Sequence, residues 1–212
     1  CALPISDLWT TSGHMETYKE NMFLSDPGGD GEKPLVVKPM NCPGHCALFK
    51  VAHHSYKDLP LRYSEFSKLH RYERAGVTHG LFRTRAFSQD DAHIFCQESQ
   101  IESEALAVIS DIYRIYGVFG FHEIKVRLAT RPEKYIGTVE TWDKATDALA
   151  QALKKRGCEY ELAEGEGAFY GPKIEFHIRD SLGRYWQCGT VQLDYFLPER
   201  FELRYIASDG SS

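Results

Sequence analysis

The chain has 212 residues, a formal net charge of -5, and 42% hydrophobic and 13% aromatic residues, a size near the upper end of one ordinary domain that buries a core without disulfide or metal staples. Glycine and proline are scattered, which excludes disorder, collagen-like repeats and low-complexity character, and the acidic balance excludes the basic footprint of a protein that lives on nucleic-acid backbone, so any RNA contact is local or lies elsewhere. Six cysteines at irregular spacings, with no signal peptide and no long apolar run, point to a reducing cytoplasmic setting and to free thiols or metal ligands.

In chain order, Cys1 to Ser6 lacks an initiator Met and reads as a non-native scar, leaving residues 7–212 as one globular core cut short at both ends. Residues 24–34 are dense in turn formers and predict a loop, followed by a short strand at Leu35 to Lys38 and a helix after Pro43. Residues 62–72 and 81–95 read as extended, with Glu73 to Gly80 supplying the turn of an antiparallel pair. Apolar residues at Ile101, Ala105, Val108, Ile109 and Ile112 have the spacing of an amphipathic helix ended by Gly117 and Gly120. Ile124, Val126 and Leu128 alternate as a strand, Trp142 to Lys155 repeats at helical spacing up to Gly157, and Ile174, Phe176 and Ile178 alternate again. Half-buried strands separated by two good helices predict an α+β fold, an antiparallel sheet with helical cover, without a linker long enough for two domains.

Four constellations carry chemistry. Lys38-Pro-Met-Asn-Cys-Pro-Gly-His45-Cys46 places two thiols and an imidazole in a turn that opens a helix, where zinc binding and plain turn packing both fit. Arg71, Glu73, Arg83 and Arg85 gather at one loop, as a nucleotide site needs for phosphates and planar rings, and as a solvated cross-strand ion-pair ladder also has. Gln89, Asp91 and His93 occupy every second position and so share one face of an extended segment, where an acid and an amide can receive a small ammonium and hydroxyl while the imidazole holds a metal; the alternative is a wet strand edge. Gly165-Glu-Gly-Ala-Phe-Tyr-Gly-Pro-Lys173 and Trp186-Gln-Cys-Gly-Thr-Val-Gln192 combine small residues that let a ligand approach with the Tyr170 hydroxyl and the Lys173 cation, or form a glycine-rich hairpin without a ligand. The G-x-x-x-x-G-K-[ST] spacing of a phosphate P-loop is missing.

In this order the blocks resemble the class II aminoacyl-tRNA synthetases, and among them the threonyl-tRNA synthetases. The likeness runs from about Leu8 to residue 206, on Leu8-Trp-Thr-Thr-Ser-Gly-His14, Met40-Asn-Cys-Pro-Gly-His45, Leu69-His-Arg-Tyr-Glu73, Ser88-Gln-Asp-Asp-Ala-His-Ile-Phe95, Glu166-Gly-Ala-Phe-Tyr-Gly-Pro-Lys173 and Gln187-Cys-Gly-Thr-Val-Gln-Leu-Asp194. The resemblance implies an antiparallel sheet of about six strands with a flanking parallel strand. It implies magnesium-bound ATP bent over the hairpin, Arg71 on the α-phosphate, Glu73 on the adenine side, Arg83 on the γ-phosphate and Phe87 stacked on the ring, with Lys173 and Gln187 lining the nucleotide. It implies a threonine pocket of Met40, Gln89, Asp91, Tyr170 and Gln192, and a zinc held by Cys42, His93 and a third His expected beyond Ser212.

The same resemblance implies that His14 assists attack by the terminal ribose hydroxyl of threonine tRNA, that the intact protein is a homodimer without membrane contact, and that this stretch alone is inactive, its first motif being mostly replaced and its third missing. The rivals are a prolyl or seryl synthetase, against which the Cys42 and His93 pattern speaks, and a non-catalytic paralogue, against which the complete pocket speaks.

Overall fold

The computed structural model describes residues 6–25, 29 and 32–212. The expected scar, apart from Ser6, and part of the expected 24–34 loop lie outside the described residues. Where a single unit was expected, internal contacts divide the chain into two compact units, Cys1–Phe95 with Leu197–Ser212, and Cys96–Phe196.

In the first unit, helix α1 (Ser6–Thr11) buries Trp9 completely, and helix α2 (His14–Thr17) follows directly. Trp9 packs with Met22 and with Val36, the centre of strand β2 (Leu35–Val37), which pairs antiparallel with β1 (Phe23–Ser25). Helix α3 (Cys42–Lys50) opens with Pro43 in its first turn, where the missing N–H is one the helix leaves unpaired anyway. It buries Cys46 against Leu197 and Phe201, Leu197 belonging to helix α6 (Phe196–Arg200). The expected antiparallel hairpin is present in two pieces. Strand β3 (Leu61–Glu65) pairs with β6 (Asp91–Phe95), and β4 (Lys68–His70) with β5 (Ala86–Ser88). The register is the same on both sides of the interruption, Glu65 opposite Asp91 and Lys68 opposite Ser88. Residues 81–85, expected as strand, instead close a local turn in which the Phe82 and Arg83 amides both donate to the His79 carbonyl and Gly80 takes a φ of 50°.

The second unit is built on a four-stranded sheet. Helix α4 (Ile101–Val118) offers Ile101, Ala105 and Ile109 as one buried stripe, and strand β7 (Ile124–Ala129) follows. Helix α5 (Val139–Arg156) starts where the Thr138 hydroxyl accepts from the Thr141 amide and ends at Gly157 in the left-handed conformation. It crosses over to β8 (Glu161–Ala163), parallel to β7. Strands β9 (Lys173–Arg179) and β10 (Tyr185–Gln192) complete the order β10-β9-β7-β8.

Alternation along β9 and β7 sends Val126, Leu128, Ile174 and Phe176 into a core with Ala105, Ile109, Leu149, Ala152 and Leu153 of the two helices. The opposite face carries Lys173, Glu175 and His177. A bulge in β10 between Gln187 and Gly189 lets Gln187 stand opposite His177 while Gln192 stands opposite Lys173. Two residues that simple alternation would send to opposite faces therefore share one. Gly189 falls on the core face, where an added Cβ would come within 2.6 Å of the Tyr116 hydroxyl.

The α+β class and the flanking parallel strand are as expected. Among the described residues strand pairing falls in the four-stranded sheet and, in the first unit, three two-stranded ladders. Those ladders are three to five residues long, and Pro34, Pro39 and Pro60 stand at their ends, where the absent N–H halts pairing. Because Phe176 is fully buried at the centre of the larger core, Phe176→Ala is expected to cost about 3–5 kcal/mol in urea denaturation, against under about 1 kcal/mol for Arg114→Ala, whose ion pair with Asp111 is exposed.

Candidate functional site

In the first unit the hairpin brings its charged residues together as expected. Beyond β4 and β5 the Arg71 amide still donates to the Arg85 carbonyl at 2.9 Å. The Arg71 guanidinium lies 5.0 Å from the centre of the Phe87 ring, and its Nε donates to the Pro39 carbonyl at 3.2 Å. Glu73 accepts from Nε and Nη2 of Arg83 at 3.1 and 3.0 Å, and its backbone carbonyl accepts from Arg85. Both readings of this cluster thus have a basis: a ring and three guanidinium groups at one loop, and an ion pair that fills it. Arg83 is 56% exposed and Glu73 15%, so the arginine is the partner able to leave.

Behind the hairpin a closed polar circuit links β3, β6 and α3. Lys38 pairs with Glu65 and donates to the Ser67 hydroxyl at 2.6 Å. Ser67 donates to Asn41 Oδ1 at 2.9 Å, and Asn41 Nδ2 donates to Asp91 at 2.8 Å. His93 sits two residues along β6 from Asp91, its Nδ1 at 2.7 Å from His45 Nδ1, and His45 Nε2 lies 3.4 Å from Glu65. Burial works to raise the Glu65 pKa, but the hydrogen bonds from Lys38 and Ser67 outweigh it and hold the carboxyl below its ordinary value. With Glu65 ionised and 3.4 Å from His45 Nε2, the tautomer that keeps the His45 proton on Nε2 has His45 Nδ1 accepting from His93 Nδ1 and leaves the lone pair of His93 on Nε2. Burial also lowers the His93 pKa, against the pull of Asp91.

Cys42 opens α3, half-buried. Its thiol and the free nitrogen of His93 suit zinc in kind. Among the described residues no three His, Cys, Asp or Glu side chains converge on one point. Gln89 departs from expectation: it falls in the interruption between β5 and β6, exposed, and not on the ladder with Asp91 and His93.

His14 also departs. It is 0% exposed, with Nδ1 at 2.8 Å from the Ser12 hydroxyl, Nε2 at 3.1 Å from Met40 Sδ, and its ring edge-on to Trp9 and Tyr18. Burial, then the charges of Arg71 and Arg200, bring its pKa down to about 4. An imidazole with both nitrogens engaged and no exposed surface does not meet a ribose hydroxyl. Its geometry instead holds Met40.

In the second unit, Tyr170 is buried with Trp142 and Phe196 and donates its hydroxyl to Gln192 Oε1 at 3.0 Å. Lys173 Nζ lies 2.7 Å from Glu175, and Gln187 donates to the Thr190 hydroxyl at 2.9 Å. Lys173, Gln187 and Gln192 share the polar face of the sheet, as the bulge requires. The glycines of this segment serve the chain itself: a Cβ on Gly167 would lie 2.5 Å from the Thr130 carbonyl, and one on Gly171 2.0 Å from the Leu193 carbonyl. A pocket of about 320 Å³ between Phe121, His122, Arg179 and Gly183 holds none of the expected residues. Asn41, Glu65, Ser67 and Glu175 were missed; for Glu175 the signal was present, since Lys173, Glu175 and His177 alternate against Ile174 and Phe176.

The tRNA synthetase class II core domain (G, H, P, S and T) matches residues 23–212. The chain is 53% identical over 204 residues to a threonine--tRNA ligase of Methylobacillus flagellatus, covering 96% of this chain and 32% of that protein. It is 56% identical over 198 residues to the threonine--tRNA ligase of Petrotoga mobilis, covering 93% and 30%. The chain therefore spans about a third of the length of these curated relatives. Among solved structures, the RNA binding domain of threonyl-tRNA synthetase from Cryptosporidium parvum Iowa II superposes with a TM-score of 0.91 at 48% identity, covering 97% of this chain and 50% of that one. A prolyl-tRNA synthetase from Cryptosporidium parvum, complexed with L-proline and AMP, matches with a TM-score of 0.66 at 16% identity, covering 100% and 36%, a likeness of fold alone.

The His14 environment has a consequence for stability. With the folded pKa near 4 against 6.5 unfolded, the unfolded chain binds the extra proton first as pH falls. The contribution is complete above pH 6.5 and is lost between 6.5 and 4, roughly 3 kcal/mol in all. His14→Gln should flatten the stability-against-pH curve in that window, as read by urea midpoints at each pH.

Proposed function

The chain belongs to the class II tRNA synthetase core family (G, H, P, S and T), and from that premise we propose that it is the threonine-activating core of a threonyl-tRNA synthetase, cytoplasmic and homodimeric in its full length. The observation that carries this reading is the hairpin in which Arg71 rests on Phe87 and Arg83 on Glu73, together with the threonine--tRNA ligase relatives. Among the described residues no helix is long and apolar enough to cross a membrane.

The first step is in-line attack of the threonine carboxylate on the α-phosphorus of ATP. A carboxylate–phosphorus bond forms, the α–β bridge breaks, and magnesium pyrophosphate leaves. No proton moves, so positioning and neutralisation of charge do the work. From the first unit, Arg71 faces the α-phosphate, Phe87 takes the adenine ring after Arg71 turns from its face, and Arg83 exchanges Glu73 for the γ-phosphate, freeing Glu73 for the adenine side. In the second unit, taken by itself, Lys173 is the cation and Gln187 the amide assigned to nucleotide. In the second step a terminal ribose hydroxyl of threonine tRNA attacks the acyl carbon, the acyl–oxygen bond to the phosphate breaks, and AMP departs, its phosphate oxygen taking the hydroxyl's proton. His14 here positions Met40 and takes no proton.

Within the first unit, Met40, Gln89 and Asp91 are assigned to threonine, with Asp91 accepting from its hydroxyl; within the second, taken by itself, Tyr170 and Gln192 carry the same assignment. Cys42 and His93, with a further His, would hold a zinc ion, which when bound would supply Lewis-acid chemistry toward the amino group and hydroxyl. That chemistry rejects valine, the isostere an apolar pocket distinguishes poorly, and admits serine, which carries the same hydroxyl.

The test is binding of threonyl-, valyl-, seryl- and prolyl-adenylate analogues to the full-length protein by calorimetry, with and without a zinc chelator. The threonyl analogue should bind at least a hundredfold more tightly than the valyl one, the seryl analogue should be tolerated, and chelation or Cys42→Ala should abolish the preference. Zinc-independent binding, or preference for the prolyl analogue, would place the protein with a neighbouring synthetase.

A further inference from the structure

The polar face of the four-stranded sheet contains a charged residue without a role in the reading above. Glu175 stands at the middle of β9, opposite Thr190 of β10 and Arg127 of β7, and its side chain is only 4% exposed. Its two carboxylate oxygens are used differently. Oε2 faces His177 Nε2 at 3.1 Å and Arg127 Nη1 at 3.4 Å, while Oε1 faces Lys173 Nζ at 2.7 Å. Arg127 is itself fixed by Glu166 at 2.8 Å. The contacts on Oε2 set the plane of the carboxylate, so Oε1 has one direction available, toward Lys173.

A buried ion cluster of this kind is a poor source of stability, since well-packed apolar residues of similar volume serve as well or better. A strand position flanked by Ile174 and Phe176 would take Thr or Val without difficulty. What the carboxylate does supply is order. Lys is a flexible side chain that loses rotamer freedom whenever a ligand fixes it, and an ammonium has three donors, of which Glu175 takes one.

We propose that Glu175 is a positioning residue for Lys173, holding its ammonium in place so that the remaining donors meet the oxyanion of a substrate, either the amino acid's carboxylate or the α-phosphate. The proposal rests on the reading of Lys173 as substrate-binding. Burial works to raise the Glu175 pKa, but hydrogen bonds from Lys173 and His177 outweigh it, so the carboxylate is charged throughout the neutral range. Lys173 and Arg127 are then balanced by Glu175 and Glu166, and an arriving oxyanion meets a cation that is already oriented.

The experiment is a double-mutant cycle in the full-length protein, Lys173→Met, Glu175→Gln and both together, read as KM and kcat of amino-acid-dependent ATP–pyrophosphate exchange. Lys173→Met is expected to lose at least a hundredfold in kcat/KM and Glu175→Gln at least tenfold, with the double variant no worse than Lys173→Met. A rise confined to KM for the amino acid identifies its carboxylate as the anion; a fall in kcat with both KM values kept identifies the α-phosphate. Activity of Glu175→Gln within twofold of the parent, or a further tenfold loss in the Lys173→Met background, overturns the proposal. Full activity of Lys173→Met overturns it too, and marks the fault as lying in the site reading itself.

A second measurement needs no turnover. The rate of amine acetylation at Lys173, read by mass spectrometry on the folded protein, should rise at least threefold in Glu175→Gln while Lys125 and Lys154 keep theirs, and an unchanged rate at Lys173 overturns the proposal. Should Glu175→Gln fail to fold, Glu175→Asp, which keeps the charge and withdraws the oxygen, is run through the same comparison.

Discussion

Side chains on a strand point alternately to its two faces, and the second unit depends on how strictly β9 obeys that rule. Ile174 and Phe176, both 0% exposed, face the helices and hold the core, while Lys173, Glu175 and His177 face away. A slip of one residue would bury three ionisable groups under α4 and α5 and expose the apolar set. The hydrophobic core therefore fixes the place of Lys173, and through the pairing of β9 with β10 the places of Gln187 and Gln192. The same logic runs through β3 and β6, where the register that seats Tyr63 opposite His93 also seats Glu65 opposite Asp91.

Charge is arranged on one plan throughout. Two of the cations proposed to meet an anionic ligand are already matched with carboxylates, Arg83 with Glu73 and Lys173 with Glu175, and in the first unit Lys38 is matched with Glu65. The net charge of -5 is compatible with a nucleotide site on these terms, because local sign and geometry matter and the sum over the chain does not. The Arg83–Glu73 and Lys173–Glu175 pairs differ in burial. Glu73 holds an arginine that is more than half exposed, a pairing worth little and readily exchanged for phosphate, whereas Glu175 holds its lysine from a buried position and keeps it.

The long amphipathic helices were legible because each exposes a single apolar period: α4 and α5 appear within about three residues of their expected ends. β7, β9 and the hairpin were legible by alternation, and so was the gathering of Arg71, Glu73, Arg83 and Arg85. The short elements were not. α1, α2 and β8 have too few residues to show a period, and the break in the hairpin at Gln89 leaves no mark in composition. The bulge at Cys188 is a backbone event that alternation cannot report. Burial of His14 follows from Trp9, Tyr18 and Met40 packing around it, contacts made after the chain has folded. The glycines at 167 and 171 were read as room for a ligand, and the room is taken by the carbonyls of Thr130 and Leu193.

The proposal under test is that the full-length protein forms an adenylate of threonine through this core, with a zinc-dependent pocket choosing the amino acid. Exchange of labelled pyrophosphate into ATP by the full-length protein, with each of the twenty amino acids supplied singly, tests it most directly. The account predicts exchange with threonine, weaker exchange with serine, and none above background with valine or proline. Exchange driven by proline, or equal exchange with threonine and valine, would contradict it.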